Sequence, residues 1–253
     1  MRVGGRPLDR VARAVFSPRS YVAAVNMLTL YRRPLRLFWR YTFNAGSYPY
    51  RAVVRTPLGP VDVMLYSSHD LLTLNEIFCR LDYSAIPRTR VVVDIGSNIG
   101  ISALYFLTRD PDVFCHLFEP VPANLERLRE NLARFDGRYA LREAAVAEFT
   151  GTSAFAVEPT GRYGGIGTEW PDRIEVPAVS INEVLRSVLE RAPEIDILKI
   201  DVEGLEVRLV QAIDTDLRGR IRRIYIEADP DGAVLPDCFS QRSRGGVCVL
   251  DRR

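Results

Sequence analysis

The chain has 253 residues, 47% of them hydrophobic and 26% charged, with a formal net charge of +2 at pH 7. That length suits one large domain or a domain with a small cap, and the apolar share suffices for a sizeable core. Charge so close to balance excludes a general electrostatic affinity for nucleic acid; no run of about 18 apolar residues exists to span a bilayer, and no apolar leader is legible.

Residues 1–40 hold nine arginines and one acid, Asp9, with Val11, Val15, Tyr21, Val22, Val25, Leu28 and Leu30 interleaved. The pattern predicts one or two amphipathic helices broken at Pro18 and Pro34. Such a segment is either a cap with a solvated basic face or a surface that docks on anionic lipid or a carrier protein. Ala52–Arg55 and Val61–Tyr66 alternate around the turn signal Pro57-Leu58-Gly59-Pro60, which predicts a hairpin. Asp70 is placed to cap a helix from Leu71 to about Leu81, with Glu76 on it either solvated or near a ligand mouth. Residues 1–69 thus read as a basic helical cap with a hairpin, and 70–253 as the main domain.

Val91-Val92-Val93-Asp94-Ile95-Gly96-Ser97-Asn98-Ile99-Gly100 reads as a buried strand ending in a carboxylate and a glycine turn. Ile101, Leu104, Tyr105 and Leu107 then repeat at helical spacing. Strand, glycine turn and helix make the ligand-cradling unit of doubly wound α/β folds. A dinucleotide fingerprint would read G-x-G-x-x-G; this one reads D-x-G-x-N-x-G. Asp94 would repel a pyrophosphate and welcome an ammonium, and glycines let a ligand approach the backbone. S-adenosylmethionine (SAM) carries an amino group and a sulfonium and no phosphate. About nineteen residues past Gly100, the strand Val113–Phe118 ends in Glu119, an acid able to accept both hydroxyls of a ribose.

Asn124 opens a predicted helix with Leu125, Leu128, Leu132 and Phe135 on one stripe, and Tyr139–Val146 reads as the third strand. The small residues Ala144-Ala145-Val146 at its end can lie against an adenine ring or simply pack. Phe149–Val157 alternates, with Gly151 suggesting a hairpin. The glycine-rich stretch Gly161–Trp170 is either a surface loop or a mobile cover in which Tyr163 or Trp170 meets a substrate. Val176–Val179 is a short strand, and Ser180-Ile181-Asn182-Glu183 has the form of a capping box ahead of a helix closed by Pro193. Ile195–Ile200 is a strand ending at Asp201, Gly204–Ile213 a helix, and Ile224–Ile226 a strand ending at Glu227. Strands alternating with helices predict an α/β fold with a doubly wound, mostly parallel sheet. Cys79, Cys115, Cys238 and Cys248 show no ligand-like spacing, which predicts reduced thiols in a cytoplasmic protein.

Lys199 is the only lysine among 34 basic side chains. At period 2 it shares a sheet face with Asp201. Acids at four strand ends, Asp94, Glu119, Asp201 and Glu227, are costly to crowd together unless cations occupy the rim.

The order D-I-G-S-N-I-G, F-E-P, A-A-V, L-K-I-D-V-E-G-L-E and I-E resembles the FkbM family of SAM-dependent methyltransferases over residues about 70 to 227. The resemblance implies a seven-stranded, Rossmann-like class I methyltransferase fold. It implies SAM at Asp94, Gly96, Ser97, Asn98, Gly100 and Glu119, with Ala145 near the adenine. It also implies methyl transfer to a hydroxyl oxygen of a sugar, glycolipid or polyketide-type acceptor. The short tail after Glu227 departs from the family pattern: Gly246–Leu250 offers one strand, and the last helix is expected to be shortened or missing.

An alcohol needs a positioned base to become a nucleophile. Asp201 is the first candidate. Lys199 either pairs with it, acts itself if its pKa falls, or forms a fixed ion pair that only shapes the site. Glu203 and Glu227 are candidates to orient the acceptor. His69, at a helix start, is a further candidate base, while His116 reads as a packed core histidine. Asp201, Glu203 and Glu227 could hold Mg²⁺ with waters, though no spacing demands it. A nicotinamide dehydrogenase is disfavoured by Asp94 and the missing fingerprint. A nucleic-acid methyltransferase is disfavoured by the charge balance. The alternative from another class is a catalytically inactive SAM-binding or scaffold protein, supported by the short C-terminus.

Overall fold

A computed structural model of the chain describes residues 2–3, 6–7, 18–158, 164–166 and 172–253. It divides into two compact units, Met1–Ser84 and Ala85–Arg253. Tyr163 and Trp170, read as cover residues, lie outside the described residues, as do Val11 and Val15.

The first unit begins with the two-residue strands β1 (Arg2–Val3) and β2 (Arg6–Pro7), followed by helices α1 (Pro18–Leu30) and α2 (Pro34–Phe43). The two helices are separated ahead of Pro34 as expected, and both prolines stand at helix starts. Proline has no N–H to lose in a first turn, and its fixed φ suits that position. The hairpin β3 (Tyr50–Thr56) and β4 (Gly59–Leu65) pairs Thr56 with Gly59 across Pro57-Leu58. Helix α3 (Ser68–Leu74) starts earlier than expected. Ser67 is its N-cap, and Asp70 closes a capping box from the third helical position. The helix then widens into a π-helical turn, Asn75–Cys79. This segment, assigned from sequence to the main domain, packs within the first unit: Tyr31 donates to Asn75 Oδ1 at 2.7 Å and Asn26 to the Cys79 carbonyl at 2.7 Å.

The second unit is built on a seven-stranded sheet. Its strands are β5 (Val91–Ile95), β6 (Phe114–Phe118), β7 (Tyr139–Arg142), β12 (Ile195–Ile200), β13 (Ile221–Ile226), β14 (Phe239–Arg244) and β15 (Val247–Arg252), in the order β14-β15-β13-β12-β5-β6-β7. The five strands from β7 to β13 are parallel, and β15 and β14 add an antiparallel edge. The expected doubly wound sheet is therefore present, and complete at its far edge. The tail after Glu227 supplies two strands, not one, while no helix lies between β13 and β14 among the described residues.

A second sheet contains β8 (Ala145–Ala147), β9 (Gly151–Val157), β10 (Gly164–Ile166) and β11 (Asp172–Ser180), in the order β10-β9-β11-β8. The stretch read as one strand, Tyr139–Val146, thus breaks after Arg142, and its end crosses to this other sheet. The remaining helices are α4 (Ile101–Leu107), α5 (Pro122–Leu132), α6 (Ile181–Leu189), α7 (Glu206–Gln211) and α8 (Thr215–Arg218).

Alternation fixes what each strand buries. Val93, Ile95, Leu198, Ile200, Ile224 and Ile226 meet Val184, Leu185 and Val188 of α6 and Leu209 and Val210 of α7 in one cluster. At about 1.5–3 kcal/mol per fully buried aliphatic side chain, this cluster anchors the centre of the sheet. The residues between them, Asp94 and Lys199, face the other way, toward α4. Asp196 is buried at the opposite end of β12. It accepts the N–H groups of Arg90 and Val91 at 2.7 and 2.9 Å and pairs with Arg222 at 2.5 Å, pinning the start of β5.

Candidate functional site

The chain runs outward from β5 through β6 to β7 and returns to β12 on the other side of β5. That reversal makes β5/β12 the topological switch point, where open α/β sheets bind ligands beyond their strand ends. Asp94 is the penultimate residue of β5. Glu119, Asp201 and Glu227 directly follow β6, β12 and β13. The sequence-predicted acids are thus brought to one rim on four adjacent parallel strands.

The glycine turn is tight for a reason the sequence does not state. Gly96 has φ +77°, and a Cβ there would lie 1.9 Å from the Asp201 carbonyl oxygen. Gly100 has φ +84°, and its Cβ would meet Leu128 and Leu132 of α5 at 3.2 and 3.3 Å. Both glycines admit protein: one the loop after β12, the other a neighbouring helix. Ser97 is also used internally. Its hydroxyl donates to the Asp94 carbonyl at 2.8 Å and accepts the Phe118 N–H at 3.3 Å. Asn98 sits at φ +48°, a left-handed conformation that asparagine tolerates, and its side-chain oxygen accepts the Ile99 N–H at 2.7 Å.

At the centre is a buried charge cluster. Asp94 and Lys199 are direct partners in the β5–β12 register and are 0% and 1% exposed. Lys199 Nζ lies 3.0 Å from Asp94 Oδ1, 3.2 Å from Asp201 Oδ2 and 3.1 Å from the Gly96 carbonyl oxygen. The Ser102 hydroxyl donates to Asp94 Oδ2 at 2.5 Å. The ammonium that Asp94 meets is therefore the chain's own, not a ligand's. Burial presses Lys199 toward neutrality, but the carboxylates of Asp201 and Asp94 outweigh it and its pKa lies above the ordinary value. Its two ion pairs favour the charged form of Lys199.

Asp201 differs from Asp94 in access: 29% of its side chain is exposed. Glu203, in the next turn, has φ +52°, followed by Gly204 at +91°. Two successive left-handed residues need support, and Glu206 gives it by accepting the Gly204 N–H at 2.9 Å. Burial raises the Glu206 carboxyl above its ordinary range. Glu206 is a site residue that sequence reasoning missed; the second acid of E-G-L-E was its only signal. Glu227 is exposed at the end of β13.

Glu119 is 4% exposed and accepts three N–H bonds: from Asn98 at 2.9 Å, Val121 at 3.0 Å and Asn124 Nδ2 at 3.2 Å. Burial nevertheless pushes it up to about 6 against those bonds. Asn124, read as a helix opener, is instead a Glu119 partner, and α5 opens at Pro122. Ala145 is buried in a cluster with Val121, Phe155 and Val176, so its side chain is spent on packing. Glu183, expected to close a capping box, turns to Arg142 and the Thr150 hydroxyl, and Ser180 makes no side-chain cap bond. His116 lies in β6 with its pKa lowered by burial and by Arg191, consistent with a packing role. His69 sits in the first turn of α3, in the first unit, where its carbonyl accepts the Thr73 hydroxyl at 3.3 Å. Among the described residues, no three His, Cys, Asp or Glu side chains are grouped to hold a metal ion.

The methyltransferase FkbM domain family matches residues 94–234, which span this site from Asp94 past Glu227. The 31-O-demethyl-FK506 methyltransferase FkbM of Streptomyces tacrolimicus is 29% identical over 193 residues, covering 64% of this chain and 74% of that protein. The hexuronic acid methyltransferase AglP of Haloferax volcanii is 28% identical over 143 residues, covering 55% of this chain and 58% of that one. Among solved structures, an O-methyltransferase family protein from Burkholderia thailandensis aligns over 74% of this chain and 59% of its own, with a TM-score of 0.41 and 12% identity.

Proposed function

This chain belongs to the FkbM methyltransferase family, and from that premise we propose that it moves the methyl group of SAM to a hydroxyl oxygen of a sugar, glycolipid or polyketide-type acceptor. The relatives' names support that acceptor class: one is a methyltransferase of a demethylated FK506 oxygen, the other of a hexuronic acid. The observation that carries the reading is the buried Asp94–Lys199–Asp201 cluster at the switch point, which leaves one carboxylate, Asp201, reachable from the rim.

The residues present suit a cationic nucleoside. Glu119, at the end of β6, offers a carboxylate to a ribose diol. SAM, when bound, supplies an electrophilic methyl group on a sulfonium, a leaving group that needs no acid. The remaining task is alignment and removal of the acceptor proton. Asp201 takes that proton. Lys199 fixes the Asp201 carboxylate through Oδ2. Glu203 and Glu227 orient the acceptor by accepting from its neighbouring hydroxyl groups, and Gly96, Ser97, Asn98 and Gly100 hold the turn against which the cofactor rests.

The test is turnover of methyl-labelled SAM against a panel of hydroxylated glycans and polyketides. Label on oxygen with matching release of S-adenosylhomocysteine supports the proposal. Cofactor binding with no transfer to any member, and no metabolite altered in cells lacking the protein, would favour the inactive SAM-binding alternative. The C-terminal strands complete the sheet, while the helix expected between β13 and β14 is absent among the described residues.

A further inference from the structure

The first unit exposes a run of large apolar side chains. Helices α1 and α2 are held by their inner faces, where Met27 and Leu37 are buried, and by Tyr31 between them, which is buried too. Arg55 Nη1 donates to the Thr29 carbonyl at 2.8 Å, and the Arg32 N–H to the Val53 carbonyl at 3.0 Å, tying both helix ends to β3. Their outer faces are apolar at helical spacing. Tyr21, Val25 and Leu28 line α1; Leu35, Phe38 and Trp39 line α2, with Leu35 76% exposed, Tyr21 61% and Trp39 58%. Scattered exposed apolar residues need no explanation, but two packed helices each showing a continuous stripe do.

The charges around the stripes point to one kind of partner. From residue 10 through residue 61 the chain has no aspartate or glutamate, and nine arginines. Arg32, Arg33 and Arg36 are exposed beside the stripe of α2. Large aliphatic and aromatic groups flanked by guanidinium groups, with no carboxylate among them, suit the interface of an anionic bilayer: rings and aliphatics at the acyl boundary, arginines at the headgroups. No helix among the described residues is long and apolar enough to cross a membrane, so the contact lies along the surface.

We propose that the α1–α2 face docks this protein on the surface of an anionic lipid bilayer. The full chain is sedimented with vesicles of phosphatidylcholine alone and of equal parts phosphatidylcholine and phosphatidylglycerol. It pellets with the anionic vesicles only, and less at high salt. Combining Arg32→Gln, Arg33→Gln and Arg36→Gln lowers partitioning on the order of 100-fold, and Leu35→Ser with Trp39→Ser abolishes it. Both variants keep binding S-adenosylhomocysteine, which reports an intact second unit. In a Trp170→Phe background, Trp39 emission shifts to the blue on the anionic vesicles. Recovery of the wild-type chain in the supernatant with both lipids overturns the proposal. So does sedimentation equilibrium showing a dimer that Leu35→Ser with Trp39→Ser converts to monomer, because the face would then belong to a second copy of the chain.

Discussion

Lys199 has its ammonium between two carboxylates and a carbonyl, with essentially no contact with water. Removing one partner of such a cluster leaves an uncompensated buried charge, so Lys199→Met should destabilise the second unit by about 3–5 kcal/mol, read as a lower urea midpoint. Asp201→Asn is different. It keeps the shape of the loop and should keep cofactor binding in calorimetry, while turnover falls by roughly 10²–10⁴. Normal turnover in that variant would remove Asp201 as the base. Glu119 predicts a pH dependence with a definite sign. Its folded pKa, about 6, lies above the ordinary 4.5, so the folded chain binds that proton more tightly than the unfolded one. The ionised form therefore costs the cofactor-free fold about 2 kcal/mol above pH 6, relieved as pH falls through about 6 to 4.5. A ribose diol donates to the carboxylate and prefers it ionised. Cofactor affinity should thus fall below about pH 6, and calorimetric titrations across that range measure it. At this scale the sequence identified the acids and the lone lysine but not their partners. Period 2 puts Lys199 and Asp201 on one face; nothing in it says that Asp94 and Ser102 close the cluster from β5 and α4.

The glycine turn and the loop after β12 act as one element. Gly96 exists so that the Asp201 backbone can approach, and the Asp201 N–H donates to the Ile95 carbonyl at 3.1 Å. Gly96→Ala combines a left-handed φ with a backbone overlap. Each costs about 1–3 kcal/mol, so the variant should fail to fold or lose most of its thermal stability, whereas Gly204→Ala meets no atom within 4 Å and pays only for its φ. Comparable melting temperatures for the two would contradict this account of the turn. Elements with strong periodicity were legible: β5, α4, β12 and α6 lie where alternation or helical spacing put them. Elements decided by tertiary partners were not. The strand read through Val146 breaks because Ala145–Ala147 pairs with Ala178–Ser180 in another sheet, a long-range choice invisible to local pattern. The Ser180 capping box does not form because Arg142 and Thr150 engage Glu183, while Ser67 and Asp70 form a box where the pattern singles out only the aspartate.

For the whole molecule, the alternation of strands and helices was enough to predict a doubly wound sheet, but its closing strands were not legible. Phe239–Arg244 reads Phe-Ser-Gln-Arg-Ser-Arg, with five polar residues in succession. It is an edge strand with only Phe239 fully buried, and apolar periodicity does not find such strands. In the function proposed above, the second unit's rim takes a cationic, phosphate-free nucleoside, with Glu119 for its ribose. Isothermal titration of the full chain with S-adenosylhomocysteine and, separately, with NAD tests that most directly. Saturable binding of S-adenosylhomocysteine, weakened by Glu119→Ala, with no heat from NAD, is the predicted result; uptake of NAD with indifference to S-adenosylhomocysteine would contradict it.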